Sequence, residues 1–283
     1  MKGKRVVITG ASRGIGLEAA IALATQGADL LLVVRDETRG KAALDQCKAQ
    51  GSGSVELVVA DLSSVAEMKK AGDAILAKWD TIDVLVNNAG AIIMDRVVTK
   101  DGYEATFATN HLAYFVLTEK LLPALEKAKE GRIVSVASEY HRQGTISFDD
   151  LMGERSFSGL GAYGQSKLAN ILFTAELARR LEERGVRHVT ANVLHPGTIG
   201  SNFMLENKGV IATLWKLGKP FFKSPKDGAK TTIFLASDPS VARVSGKYFD
   251  NCKERKPSRR ARDMDAAKRL WTMSEALVAR AST

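Results

Sequence analysis

The stretch Arg5-Val-Val-Ile-Thr9-Gly-Ala-Ser-Arg-Gly-Ile-Gly16 decides the fold. Its β-branched run reads as a short buried strand that breaks at Gly10. Gly14 and Gly16 follow, and from Leu17 to Gln26 apolar residues recur at helical spacing. The order is strand, glycine loop, helix. Glycines in such a loop let the backbone turn tightly and approach a pyrophosphate, whose charge is favoured at a helix N-terminus. The spacing is G-x-x-x-G-x-G, not the commoner G-x-G-x-x-G, and a plain strand-to-helix connection remains the other reading of three glycines.

The same alternation continues outward from this stretch. Asp29 to Val34 reads as a second buried strand, 37 to 50 as a polar helix, and Val55 to Ala60 as a third strand ending at Asp61-Leu62. A helix over 64 to 79 leads to a strand from Ile82 to Val86, which ends in Asn87-Asn-Ala-Gly90. Tyr103 to Leu125 is a long helical stretch, Arg132 to Ala137 a strand, Tyr163 to Glu183 a helix and His188 to Leu194 a strand. Gly246 to Phe249 reads as the last strand, followed by a terminal amphipathic helix. Repeated strand and helix predict an α/β fold: one doubly wound, Rossmann-type domain over 1–283, with a mostly parallel seven-stranded sheet and helices on both faces.

Composition narrows the function classes. With 45% hydrophobic and 26% charged residues, the chain reads as globular, and no apolar run approaches the roughly 20 residues that span a bilayer. A cytoplasmic protein without a transmembrane anchor is the expectation. Cys47 and Cys252 lie far apart and lack metal-ligand spacing, so neither a disulfide framework nor a metal site is expected. The net charge of +9 is concentrated after Asn251, where nine Lys or Arg stand against four Asp or Glu. No aromatic residues interleave the basic run from 253 to 262, which argues against nucleic acid as partner. That run reads as a loop of open purpose.

Two patterns carry chemistry. At the end of the second strand, where an enzyme selective for NAD places an acid against the ribose hydroxyls, stands Arg35. With Arg13 in the glycine loop it would pair with a 2′-phosphate, so NADP(H) is expected over NAD(H), although Asp36 is one place away. Asp61 could accept a hydrogen bond from the adenine amine. In Tyr163-Gly-Gln-Ser-Lys167 a phenol and an amine share a helix face, and an ammonium there would draw the phenol's acidity down from about 10. By itself such a pair usually decorates a helix surface.

Taken together, Thr9-Gly-Ala-Ser-Arg-Gly-Ile-Gly16, Asn87-Asn-Ala-Gly90, Asn110, Ser138, Tyr163-x-x-x-Lys167 and Pro196-Gly197 resemble the short-chain dehydrogenase/reductase family, in order and over nearly the whole chain. The resemblance implies that Ser138 orients a substrate oxygen, Tyr163 exchanges its proton, Lys167 holds the nicotinamide ribose and Asn110 holds a water in the relay. It implies cofactor contacts from Gly10, Ser12, Arg13, Gly14, Ile15, Gly16, Arg35, Asp61, Leu62, Asn87, Ala89, Gly90, Tyr163, Lys167, Pro196, Gly197, Thr198 and Ser201. Asn110-His111, Arg35-Asp36, His195-Pro-Gly197, Tyr248-Phe-x-x-Cys252 and an insert that puts Ser138 and Tyr163 25 positions apart are similar to the branch of retinol dehydrogenases and WW-domain oxidoreductases. The membrane-anchoring N-terminal segment of many retinol dehydrogenases has no counterpart before Arg5, which sets the expectation against a retinoid. His141 in the insert reads as a loop residue.

Residues 199 to 225 correspond to the family's substrate lid, and Phe203, Leu205, Ile211, Trp215 and Phe221 there either point to a small hydrophobic carbonyl or alcohol as partner or pack the lid onto the body. The expected activity is NADP(H)-dependent hydride transfer at that carbon. A nucleotide-binding redox sensor with the same fold is the alternative, and a homo-oligomer is possible.

Overall fold

The computed structural model describes residues 1–51, 53–197 and 223–281. In chain order these form β1 (Arg5–Thr9), α1 (Gly14–Thr25), β2 (Asp29–Val34), α2 (Glu37–Gln50), β3 (Val55–Val59), α3 (Val65–Lys78) and β4 (Val84–Asn87). A short α4 (Ala105–Phe107) runs through a π turn (Ala108–Leu112) into α5 (Ala113–Glu126). Then follow β5 (Gly131–Val136), α6 (Gly159–Glu183), β6 (Val189–His195), α7 (Pro225–Ser237), β7 (Tyr248–Asp250), β8 (Lys253–Arg255) and α8 (Met264–Arg280).

All these strands join one sheet in the order β3-β2-β1-β4-β5-β6-β7-β8, and every pairing is parallel except the last. The strand residues are apolar on both faces because both faces are covered. Val6, Ile8, Leu30 and Leu32 pack beneath α1, α2 and α7, while Val7, Leu31 and Val33 belong to the opposite core, with Phe107, Leu168, Phe173 and Trp271. Each fully buried side chain of this kind stabilises the fold by about 1.5–3 kcal/mol.

Among the described residues the sheet has eight strands where the sequence predicted seven. The added strand, β8, comes from the basic run, and it forms because Asn251 and Cys252 take positive φ (50° and 59°) and turn the chain back against β7. Its residues are exposed, and alternating charge on an edge strand opposes further pairing.

Polar side chains fix the helix ends. Asp36 accepts from the Arg39 N–H at 3.0 Å at the start of α2, and Ser224 accepts from Asp227 N–H at 3.1 Å with Pro225 at the first position of α7. Ser158 caps α6, so that helix begins at Gly159 and Tyr163 lies one turn inside it, not at its opening. Buried Arg132 of β5 donates to the Leu235 and Asp238 carbonyls at the C-terminus of α7.

Candidate active site

β1 is flanked by β2 on one side and β4 on the other, so the strand order reverses between β1 and β4. The loops that leave their carboxyl ends must part there and open a crevice. Gly10 sits at its floor with φ +67°, and a Cβ added to it would lie 2.8 Å from the Ala89 Cα. A Cβ on Gly16 would come within 2.5 Å of the Gly10 carbonyl oxygen. Only glycine fits at either place. The Thr9 hydroxyl accepts from the N–H groups of Asn88 and Ala89, each at 2.9 Å, so the glycine loop and the turn after β4 are held as one surface.

The start of α1 fits an anion. Arg13 offers no side-chain cap, the first turn carries no acid, and space is open where a Cβ of Gly14 would stand, at φ +59°. The first N–H groups of a helix lack intrahelical partners, and here they face the crevice with nothing negative among them. A dinucleotide pyrophosphate matches this arrangement. Ser12 and Ile15 are half-buried in the loop, whereas Arg13 and Arg35 are exposed at its rim. The Asp36 carboxylate is committed to capping α2 and pairs with Arg39 at 3.6 Å. Asp61 is exposed after β3 and accepts from the Ser63 N–H, and Leu62 beside it is buried.

The turn after β4 divides its asparagines. Asn87 is fully buried and its Nδ2 donates to Thr118 Oγ1 at 2.9 Å, so its side chain braces α5. Asn88, absent from the expected site, has the structural role: its Nδ2 donates to the Thr9 and Gly10 carbonyls at 2.9 and 3.2 Å. Two amides directly after a strand were the available signal. Gly90 joins this half of the site to the other, because a Cβ there would lie 3.2 Å from Asn110 Oδ1 and 3.4 Å from Lys167 Nζ.

Ser138 follows β5, and its hydroxyl hydrogen-bonds the Tyr163 phenol and accepts from the Tyr140 N–H at 3.2 Å. Lys167 is 3% exposed, and its Nζ donates to the Val136 carbonyl at 3.0 Å and lies 5.7 Å from the Tyr163 ring centre. Burial pushes the Tyr163 phenol up to about 12, with the Ser138 hydrogen bond acting in the opposite direction. Burial also brings the Lys167 ammonium down to about 7. Burial by protein thus disfavours both charges. The phenol is protonated at neutral pH.

The π turn aims Asn110 into this group. Its Nδ2 donates to the Ala91 carbonyl and to Ser166 Oγ, both at 2.9 Å, and its Oδ1 accepts from the Ala91 N–H at 2.7 Å. Ser166 in turn donates to the Tyr163 carbonyl at 2.8 Å, so Asn110 ties the turn after β4 to α6. Such widened turns recur at functional sites because they redirect one side chain without ending the helix.

The insert between Ser138 and Tyr163 packs against α6 beside the phenol. Gly144 and Gly164 meet so closely that a Cβ on Gly144 would lie 2.2 Å from the Gly164 carbonyl oxygen. Gln165 then holds the middle of the insert at two points, accepting from Ser147 N–H at 2.8 Å and donating to the Leu151 carbonyl at 3.0 Å. Pro196 and Gly197 follow β6, with Gly197 at φ +89°. Thr198, Ser201 and the lid through residue 222 lie outside the described residues.

Comparison with known proteins agrees with this geometry. The family model described as short chain dehydrogenase matches residues 4–209. The chain is 41% identical to retinol dehydrogenase 12 of Mus musculus, covering 96% of this chain and 85% of that protein. It is 37% identical to the WW domain-containing oxidoreductase of Pongo abelii, covering 98% and 68%. Among solved structures, an uncharacterized protein from Mycobacterium Paratuberculosis superposes with a TM-score of 0.81 at 34% identity, covering 98% and 94%. The Pseudomonas aeruginosa RhlG/NADP active-site complex does so with a TM-score of 0.70 at 25% identity, covering 88% and 94%. A doubly wound sheet, a glycine-loop crevice at its switch point and a match over most of the chain lead to one conclusion: the chain belongs to the short-chain dehydrogenase/reductase family of oxidoreductases.

Proposed function

We propose that the chain is an NADP(H)-dependent oxidoreductase acting on the carbonyl or alcohol carbon of an apolar substrate, with Tyr163 as its acid/base. One observation carries the reading. Ser138 and Tyr163 share a hydrogen bond, with Lys167 beneath them and Gly90 against Lys167, so the proton-handling groups adjoin the wall of the dinucleotide crevice. The bound nicotinamide supplies or accepts the hydride. Ser138 donates a hydrogen bond to the substrate oxygen, where negative charge grows as a carbonyl is reduced, and so favours the transition state over the ground state. Tyr163, protonated at neutral pH, gives its Oη proton to that oxygen and takes one back in the reverse reaction. Lys167 and Asn110 hold this geometry from below, and Lys167 and Tyr163 also contact the nucleotide.

The preference for NADP(H) rests on Arg13 and Arg35 at the rim, and on the use of Asp36 as a helix cap instead of a ribose ligand. The NADP complex of the related Pseudomonas aeruginosa protein is in keeping with it. Gly10, Ser12, Gly14, Ile15, Gly16, Asp61, Leu62, Ala89 and Gly90 complete the proposed nucleotide contacts, joined by Pro196, Gly197, Thr198 and Ser201. Asn87 contributes through its backbone, since its side chain is turned to Thr118. Among the described residues no helix is long and apolar enough to cross a membrane. The retinol dehydrogenases among its relatives put an apolar aldehyde first among substrates. Initial rates of NADPH and NADH oxidation with hexanal, nonanal, benzaldehyde and all-trans-retinal test the reading. Turnover favouring NADPH is expected, and faster turnover with NADH at equal low concentration contradicts the cofactor assignment.

A further inference from the structure

Two features are absorbed by none of these roles: the insert after Ser138 and the basic run from 253 to 262. They meet at His141. The imidazole is fully buried, its Nδ1 lies 2.8 Å from the Ser138 carbonyl oxygen, and its Nε2 lies 3.1 Å from the Ser258 backbone nitrogen. A carbonyl can only accept and a peptide N–H can only donate, so the proton is on Nδ1 and Nε2 is bare. The His141 backbone N–H donates to the same carbonyl at 3.0 Å, which fills both lone pairs of the Ser138 oxygen. Arg260 fastens the basic run a second time, donating to the Gly144 carbonyl at 3.1 Å, where the insert touches α6 beside Tyr163.

We propose that His141 is a positioning residue for Ser138, locked in its Nδ1–H tautomer by the basic strap 256–262, so that the strap sets the aim of the catalytic hydroxyl. The proposal rests on the assignment of Ser138 and Tyr163 to the chemistry. His141 touches no reacting atom; it fixes the peptide that carries Ser138, and the strap closes the other side of its ring. Around it stand Glu139 and Arg142, which pair with each other, Tyr248, whose ring centre is 5.3 Å away and whose hydroxyl donates to Glu139 at 2.9 Å, and His195, which accepts from the Glu139 N–H at 3.1 Å. Protonation would set an N–H against the Ser258 N–H, and burial opposes it by lowering the His141 pKa. A misaimed hydroxyl of this kind costs about 10- to 100-fold in turnover.

The test combines His141→Leu and His141→Asn with Tyr163→Phe, read as NADPH-dependent reduction of nonanal and all-trans-retinal per folded molecule. His141→Leu is expected to lower kcat by about 10- to 100-fold with the NADPH KM unchanged. His141→Asn keeps a donor for Ser138 and is expected to recover most of that loss. Nitrogen-15 imidazole spectra of the wild type, assigned by difference with His141→Asn, are expected to show His141 neutral with the proton on Nδ1, a readout that holds even if the leucine variant does not fold. Wild-type kcat in both variants, or an Nε2–H imidazole, overturns the proposal. Turnover that survives Tyr163→Phe instead overturns the underlying assignment.

Discussion

The Asn88 side chain donates from one nitrogen to the carbonyls of Thr9 and Gly10, at 2.9 and 3.2 Å, across the point where the strand order reverses. Two loops separated by nearly eighty residues are thereby held as one wall. Asn88→Ala leaves two carbonyls of the glycine loop without this donor and is expected to cost about 1–3 kcal/mol of stability. NADPH affinity should fall with it. Urea unfolding and a fluorescence titration with NADPH check both, and unchanged values in both would show that the bridge is incidental.

Arg35 tests the cofactor reading. Replacing it by glutamate removes a cation from the crevice rim and adds an anion against a 2′-phosphate. Arg35→Glu is expected to weaken NADPH by about 10- to 150-fold, the equivalent of one charge-assisted hydrogen bond, and to leave NADH within a few-fold. Equal losses for the two nucleotides would mean that Arg35 does not read the phosphate.

His111 gives the fold an acid limit. It is fully buried between Phe107 and Phe173, its Nε2 lies 2.9 Å from Ser274 Oγ, and burial lowers its pKa to about 3. An unfolded histidine titrates near 6.5, so between about 6.5 and 3 the unfolded chain binds the proton and the folded chain does not. The stability is whole above pH 6.5 and falls as pH drops below it, by up to about 1.4 kcal/mol per pH unit from this one group. His141 and His195 are lowered by burial too and act in the same direction. Urea unfolding between about pH 7.5 and 5 should show a slope that His111→Gln reduces by close to one proton. A slope unchanged by that substitution would remove His111 as its cause.

Much of this molecule was legible in the sequence because burial leaves a periodic trace. The runs at Val6 and Leu30 gave strands covered on both faces, and Gly10 and Gly16 stand where a Cβ would strike backbone. What escaped was set by contacts between distant residues. Nothing near Asn110 signals a π turn, because the widening answers to Ala91 and Ser166, which come from other elements. His141 read as a loop residue, and only the folded chain brings Ser258 to its ring. Lys253-Glu-Arg255 carries no apolar alternation and so read as loop, yet it pairs antiparallel with β7. The burial of the Lys167–Tyr163 pair escaped for a related reason: spacing places the amine near the phenol but cannot report how thoroughly both are buried.

The central claim is that the Tyr163 phenol moves the proton in a site where most of the nucleotide contacts come from other residues. Its most direct measurement is turnover of a reducible aldehyde by Tyr163→Phe, beside NADPH affinity of the same variant. The account predicts a loss of about 100- to 10,000-fold in kcat with NADPH affinity within a few-fold of wild type. Turnover that survives the loss of that one hydroxyl would contradict it.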